Sequence, residues 1–413
     1  MRVLYSLLTG ITYLVLHIVA LFVPKMKLFV QGRKTVFQTL AEKIKPNDKV
    51  IWFHAASLGE YEQGLPVMEK LRQLYPSYKI VLTFFSPSGY EIRKNSPAAD
   101  VVVYLPMDTL DNAKKFMKLA HPDMAFFIKY EFWPNYLFEL QKAHVPTYLI
   151  SGLFRPNQAF FKWYGGFYRK AFKAFNHFFV QYEISKSLIE SLGFTNVTVS
   201  GDTRYDRVSR ILEQDNTVPF IEEFINGKTA VVFGSSWPKD EEMFSGFINS
   251  QPNTKFIIAP HTFGESHMES IRQTITKPVV FFTEKEGENL KDYEVLVINT
   301  IGLLGKIYSY ADVAYVGGGF GTAGLHNILE PAAFGIPVVI GPNHDKFPEA
   351  KQLTHAGGCI VVHDKAETET VLANLANDIT YRKETGSNAG NFVAQNRGAI
   401  NTIINHIQHD GRL

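Results

Sequence analysis

The sequence nearly lacks cysteine. Cys359 is the only one in 413 residues, which rules out an internal disulfide and leaves no cysteine-based metal spacing. It stands in "GGCIVVH", where a small buried side chain at a strand start is the plain reading. A charge excess is missing too. The 42 Lys and Arg nearly balance the 40 Asp and Glu, so net charge gives nucleic acid no footing, and no such partner is expected. There is no low-complexity stretch, no short-period repeat and no Asp-x-Asp pair that would demand a metal. We therefore expect neither a metal nor a cofactor. With 46% apolar and 20% charged residues, the chain can bury large cores and is not disordered.

Long hydrophobic runs are scarce as well, with one exception. Val3 to Val23 carries no formal charge and is long enough to cross a bilayer as a helix. No small-x-small site precedes Pro24, which argues against a cleaved leader. Lys25, Lys27, Arg33, Lys34, Lys43 and Lys45 follow, opposed only by Glu42. Positive charge after the run places the remainder on the cytoplasmic side. Residues 1–24 are thus expected to be a membrane anchor. Thr9, Gly10, Thr12 and His17 dilute the run, and a helix lying partly in the interface is the other reading.

From Lys49 onward, apolar runs alternate with helical periods. "VIWFHAA", "KIVLTFFS", "DVVVYLP", "MAFFIKY", "PTYLISG", "HFFVQ" and "NVTVSG" form one series. "TAVVFGSS", "KFIIAPH", "PVVFFTE", "EVLVINT", "DVAYVGGG", "PVVIGP" and "CIVVH" form a second. Continuous rather than alternating apolar runs suit strands buried on both faces of a parallel sheet. The expected fold is α/β, with two Rossmann-like doubly wound domains at 25–212 and 229–413 joined through 213–228. The last helical region, Tyr381 to His409, is free to pack back on either domain. Ligands are expected in a cleft at the carboxyl ends of the strands.

The candidate residues all fall at such ends. Ser57-x-x-Glu60 opens the first helix after a strand. It reads as a capping box or, with Glu60 turned outward, as a base, and spacing leaves both open. "KYEFWPN" puts Glu131 after the fourth strand. In "GDTRYDR", Arg204 and Arg207 either pair with Asp202 and Asp206 or meet an anionic substrate. Gly234, Ser235 and Ser236 can hold an anion, or Ser236 is an N-cap. Gly317, Gly318 and Gly319 offer consecutive amides to a phosphate. Asn327-x-x-Glu330 is either a cap or a grip on ribose hydroxyls. The stretch Phe154 to Phe175 mixes aromatics with Arg155, Lys162, Arg169, Lys170 and Lys173, as suits an anionic lipid surface. An ordinary half-buried helix is the alternative.

Taken in order, "HAASLGE", "EFWPN", "GDTRYDR", "GSSWPKDE", "NTIGLLGKIYSYADVAYVGGGF" and "HNILEPAAFGIPVVIGP" behind a hydrophobic N-terminus resemble the bacterial 3-deoxy-D-manno-octulosonic acid (Kdo) transferases of lipopolysaccharide synthesis. The resemblance implies a GT-B fold. It also implies transfer of Kdo from CMP-Kdo to the lipid A precursor (lipid IVA) at the cytoplasmic face of the inner membrane. By the same resemblance Glu60 is the general base, and Glu131 and Arg204 assist the transition state. The nucleotide falls to Pro260 and His261, to Ile301, Gly302 and Leu303, and to Asn327, Ile328, Leu329 and Glu330. This chain has Lys129, His261 and Leu303 where that family's pattern has an acid, an arginine and an acid. A UDP-sugar 2-epimerase, another lipid-linked glycosyltransferase and a non-catalytic nucleotide-sugar sensor are the competing functions.

Overall fold

The computed structural model describes residues 1–322 and 324–410. The chain divides into two compact units, Met1–Asp206 with Gly398–Leu413, and Arg207–Arg397.

The first unit is built on seven parallel strands: β1 (Lys49–Ala55), β2 (Tyr78–Phe84), β3 (Val101–Tyr104), β4 (Met124–Ile128), β5 (Thr147–Gly152), β6 (His177–Val180) and β7 (Val197–Val199). Their spatial order is β3-β2-β1-β4-β5-β6-β7. Helices cover both faces, which accounts for the unbroken apolar runs. Along β1, Val50 and Trp52 enter one core while Ile51 and Phe53 enter the other, since successive side chains point to opposite faces.

The second core is closed from the far end of the chain. Ile400, Ile403, Ile404 and Ile407 of the helix Ala399–His409 join the cluster of Ile51, Phe53 and Leu71. Asp206 accepts from the Gly398 amide at 2.8 Å, and Tyr148 donates to Asp410 at 2.7 Å. The helix Ile379–Gln395 before it lies in the other unit.

The second unit repeats the plan with β8 (Thr229–Ser236), β9 (Thr254–Pro260), β10 (Val279–Phe281), β11 (Val295–Val297), β12 (Val313–Val316), β13 (Val338–Ile340) and β14 (Cys359–Val361), in the order β10-β11-β9-β8-β12-β13-β14. The stretch 213–228, read as a connection, carries the helix Pro219–Ile225. Its Ile221 and Phe224 are buried among Val232, Ile257 and Leu296.

At the N-terminus the apolar run is not one helix. The helix Arg2–Val19 ends before Val23 turns extended, and Pro24 opens a second helix, Pro24–Gln31. Proline at the first helical position favours such a start. The 18-residue first helix is apolar enough to cross a membrane by length and composition alone. The basic aromatic stretch is not one helix either. Two short turns precede the helix Gly166–Phe172, with Phe154, Phe160, Phe172 and Phe175 buried and Trp163 and Tyr164 exposed.

Candidate active site

Each sheet has a place where strand order reverses direction, and loops there diverge to leave a crevice. In the first unit it lies between β1 and β4, in the second between β8 and β12. Glu60 and Glu131 follow β1 and β4, and Ser235, Ser236, Gly318 and Gly319 sit at the ends of β8 and β12.

Ser57 is the N-cap of the helix Leu58–Leu74, yet its side chain caps no backbone amide. Its hydroxyl instead donates to Oε2 of Glu60. The reciprocal capping box allowed by spacing is therefore not formed. Glu60 is only 6% exposed, and its Oε1 has no hydrogen-bond partner among the described residues. Tyr130 lies near it. The phenol is pushed above its ordinary range by burial, then by the negative charges of Glu60 and Glu131, which brings both carboxylates close to one ring.

Glu131 is held by Trp133, whose Nε1 lies 2.8 Å from His54 Nε2 and 3.2 Å from Glu131 Oε2. An indole N–H only donates, so His54 Nε2 accepts and its proton sits on Nδ1. That nitrogen donates to Thr83 Oγ1 at 2.9 Å. Thr83 also accepts from Trp52 Nε1 at 2.8 Å and donates to the Phe53 carbonyl at 3.2 Å. A fully satisfied buried chain thus fixes a neutral imidazole beneath Glu131, 3.7 Å from its carboxylate. No pattern in the sequence announces Thr83. Lys129, between β4 and this site, has φ of 69°, a left-handed conformation uncommon for a residue with a side chain.

Arg204 makes the pairing that sequence allowed as the plain case. Nη2 and Nε donate to Asp202 Oδ2 at 2.7 and 2.9 Å. Asp202 also takes Gln63 Nε2 at 3.2 Å. Gln63 lies on the Glu60 helix, so the arginine is tied to the helix that bears Glu60. Asp206 does not pair with arginine in this way but receives the start of the C-terminal helix.

In the second unit the phosphate-cradle expectation changes. Gly317 N donates to the Gly234 carbonyl, and Gly318 N donates to the buried Asp240 carboxylate, both at 2.9 Å. These two amides are already spent on the fold. The glycines answer to close packing instead. A Cβ on Gly317 would sit 2.4 Å from the Ser235 carbonyl, and one on Gly319 would sit 2.5 Å from Gly341 N. Ser236 is not an N-cap. Trp237 occupies that position, and Ser236 Oγ donates to Glu241 at 2.8 Å. Ser235 has φ of 53°.

His261 follows Pro260 at the end of β9 and stacks on Trp237, with ring centroids 4.6 Å apart. His326 lies 4.4 Å from His261 and accepts from Trp237 Nε1 at 3.2 Å. Burial lowers His261 and, with His261 adjacent, takes His326 down to about 4. The two rings are neutral near pH 7.

Asn327 Oδ1 accepts from Leu329 N at 3.1 Å while its Nδ2 donates to Glu330 at 2.9 Å. Burial pushes Glu330 above the usual carboxylate range, opposed by Arg207 and this hydrogen bond. Ile328 and Leu329 are buried. Ile301 is exposed, Gly302 has φ of 91°, and Leu303 precedes the short helix Leu304–Ile307. Beyond the glycines, a pocket of about 390 Å³ is lined by Gly321, Thr322, Gly324, Asn343 and Lys346. Among the described residues no three His, Cys, Asp or Glu side chains gather as a metal site.

Comparison with known proteins finds similarity to one family along most of the chain. Residues 31–207 match the family described as 3-Deoxy-D-manno-octulosonic-acid transferase (kdotransferase). The 3-deoxy-D-manno-octulosonic acid transferase of Rickettsia prowazekii is 26% identical over 362 residues, 85% of this chain and 77% of the relative. That of Haemophilus influenzae is 24% identical over 382 residues, 87% of this chain and 86% of the relative. Two solved structures share the fold. UDP-GlcNAc 2-epimerase from Neisseria meningitidis, bound to UDP-GlcNAc, has TM-score 0.59 at 15% identity, over 84% of this chain and 99% of that one. MurG from Acinetobacter baumannii has TM-score 0.54 at 12% identity, over 88% and 99%. With the family matched over 31–207 and Kdo transferases aligned along most of the sequence, the chain is similar to the Kdo transferases and is a glycosyltransferase of the GT-B fold.

Proposed function

We propose that this enzyme moves Kdo from CMP-Kdo to a lipid A precursor (lipid IVA) at the cytoplasmic face of the inner membrane, with Glu60 as the general base. The supporting observation is the state of Glu60. Its carboxylate is withdrawn from capping, bonded on Oε2 by Ser57 and, among the described residues, without a partner on Oε1. It stands at the switch point of its sheet, near Glu131.

The chemistry follows. As the bond from C2 to the CMP phosphate breaks, C2 gains oxocarbenium character. An acceptor hydroxyl attacks the opposite face, a C–O bond forms, and its proton passes to Glu60 Oε1. One displacement inverts C2 without a covalent intermediate, by analogy with inverting glycosidases. The departing phosphate takes up negative charge, which Arg204 offsets. Glu131, fixed by Trp133 above a neutral His54, holds negative charge near the cationic sugar. The nucleotide is assigned to Ser235, Ser236, Pro260, His261, the loop of Ile301, Gly302 and Leu303, the backbone at Gly319, and the segment Asn327 to Glu330. With the Gly317 and Gly318 amides occupied, phosphate recognition rests more on side chains and helix starts than sequence suggested.

Glu60→Gln tests the assignment. Transfer from CMP-Kdo to a tetraacyl disaccharide acceptor, read as product mass, is expected to fall by about 10²–10⁴-fold while CMP binding persists. Unchanged turnover would remove Glu60 from the mechanism.

A further inference from the structure

The first helix is docked the wrong way round for a water-soluble protein. Its half-buried positions recur at helical spacing: Arg2, Tyr5, Ser6, Thr9, Tyr13 and Leu16. That face, the polar one, is turned onto the first unit. Arg2 donates to Glu139 at 2.6 Å and to Asn135 at 3.0 Å. Ser6 Oγ accepts from the Leu110 amide at 3.2 Å and from Asn135 at 3.0 Å. Tyr5 packs on Phe167, with ring centroids 5.3 Å apart. Farther along, Tyr13 and Leu16 pack on Phe29, Val30 and Met107. The helix is therefore attached at its start and near its end.

The opposite face carries Leu4, Leu7, Ile11, Leu14 and Ile18, all more than half exposed. Its two polar side chains each bond back to the helix backbone. Thr12 donates to the Leu8 carbonyl at 2.9 Å, and His17 Nδ1 donates to the Tyr13 carbonyl at 2.8 Å. A face so long and apolar is made for hydrocarbon rather than water. Charge agrees. Lys25, Lys27 and Lys34 are exposed beyond one end, and Lys162 and Lys170 flank exposed Trp163 beside Phe167 near the other. No acid occurs before Glu42 or between Phe154 and Tyr182.

We infer that the Arg2–Val19 helix does not cross the bilayer but lies in its plane, polar face on the protein and apolar face in the acyl boundary, on a surface of anionic lipid. The geometry compels it. The helix is about 27 Å long, and crossing would draw the body attached at both its ends into hydrocarbon. Lying flat, it brings the cations at both ends to headgroup depth. This conclusion goes beyond the transfer reaction and does not depend on it.

Depth measurement decides. Single cysteines at Leu4, Ile11 and Ile18 of the full chain, selective because Cys359 is buried, carry an NBD fluorophore. The chain is bound to vesicles of mixed phosphatidylcholine and phosphatidylglycerol. Quenchers sit either near the headgroup or near the acyl-chain end. A flat helix gives all three sites the same shallow quenching. Deep quenching at Ile11 with shallow quenching at Leu4 and Ile18 would show a crossing helix and overturn the inference. So would no quenching anywhere, as for a face covered by protein. Replacing Lys25, Lys27 and Lys34 with Gln is expected to weaken binding to the anionic vesicles about fivefold per lysine, with little change on phosphatidylcholine alone. Loss of Kdo transfer with the depth pattern intact would bear on the reaction and leave this inference standing.

Discussion

At the residue scale, a local motif is decided by which partner a side chain finds first. Ser57 and Glu60 have the spacing of a capping box, but the serine hydroxyl found the carboxylate and not an amide. Local rules cannot distinguish these, because both partners lie within one turn. Asn327 shows the opposite outcome, accepting the Leu329 amide as a cap would. Thr83 carries more than its sequence suggests. Its one hydroxyl serves two buried donors, Trp52 and His54. Thr83→Val keeps the shape and orphans both, so stability is expected to fall by about 1–3 kcal/mol per donor. Denaturant midpoints measure this, and Thr83→Ser, which keeps the hydroxyl, should recover most of it.

At the element scale, the C-terminal helix is held by groups that acid can release. His177 on β6 and His406 on the helix lie against each other, ring centroids 4.0 Å apart and planes tilted by 43°. Burial and then His406 take His177 down to about 4. The sign is fixed by linkage. An unfolded histidine binds its proton near pH 6.5 and the folded one resists, so stability is full above that pH and declines as pH falls toward 4. Hydrogen exchange across 399–409 is expected to quicken on acidification over this window, and His177→Gln should flatten the response. The sequence suggested one last helical region, Tyr381 to His409, and left open which unit it joins; the structure divides it into two helices, one in each unit. Spacing shows that an apolar face exists, whereas Ile51 and Phe53 show where it is buried.

At the scale of the molecule, every nucleotide position named above falls within Arg207–Arg397. CMP at about a hundred times its dissociation constant should therefore stabilise the protein by about 2.7 kcal/mol. Slowed hydrogen exchange should be centred on 207–397, and UDP should not reproduce it. An equal response to UDP would favour a different nucleotide sugar.

The sequence by itself determined the two sheets and the strand ends on which the site residues fall. Unbroken apolar runs between helical periods leave a chain few options other than parallel strands covered on both faces, and such sheets bind ligands at their carboxyl edge. Tertiary structure alone decided how those residues are used. The Gly317 and Gly318 amides went to Gly234 and Asp240, Arg204 went to Asp202, and the polar side of the first helix turned inward. Apart from Arg204, whose partner is two residues away, each choice depends on a partner distant in the chain, and periodicity records which face is apolar without recording what that face will meet.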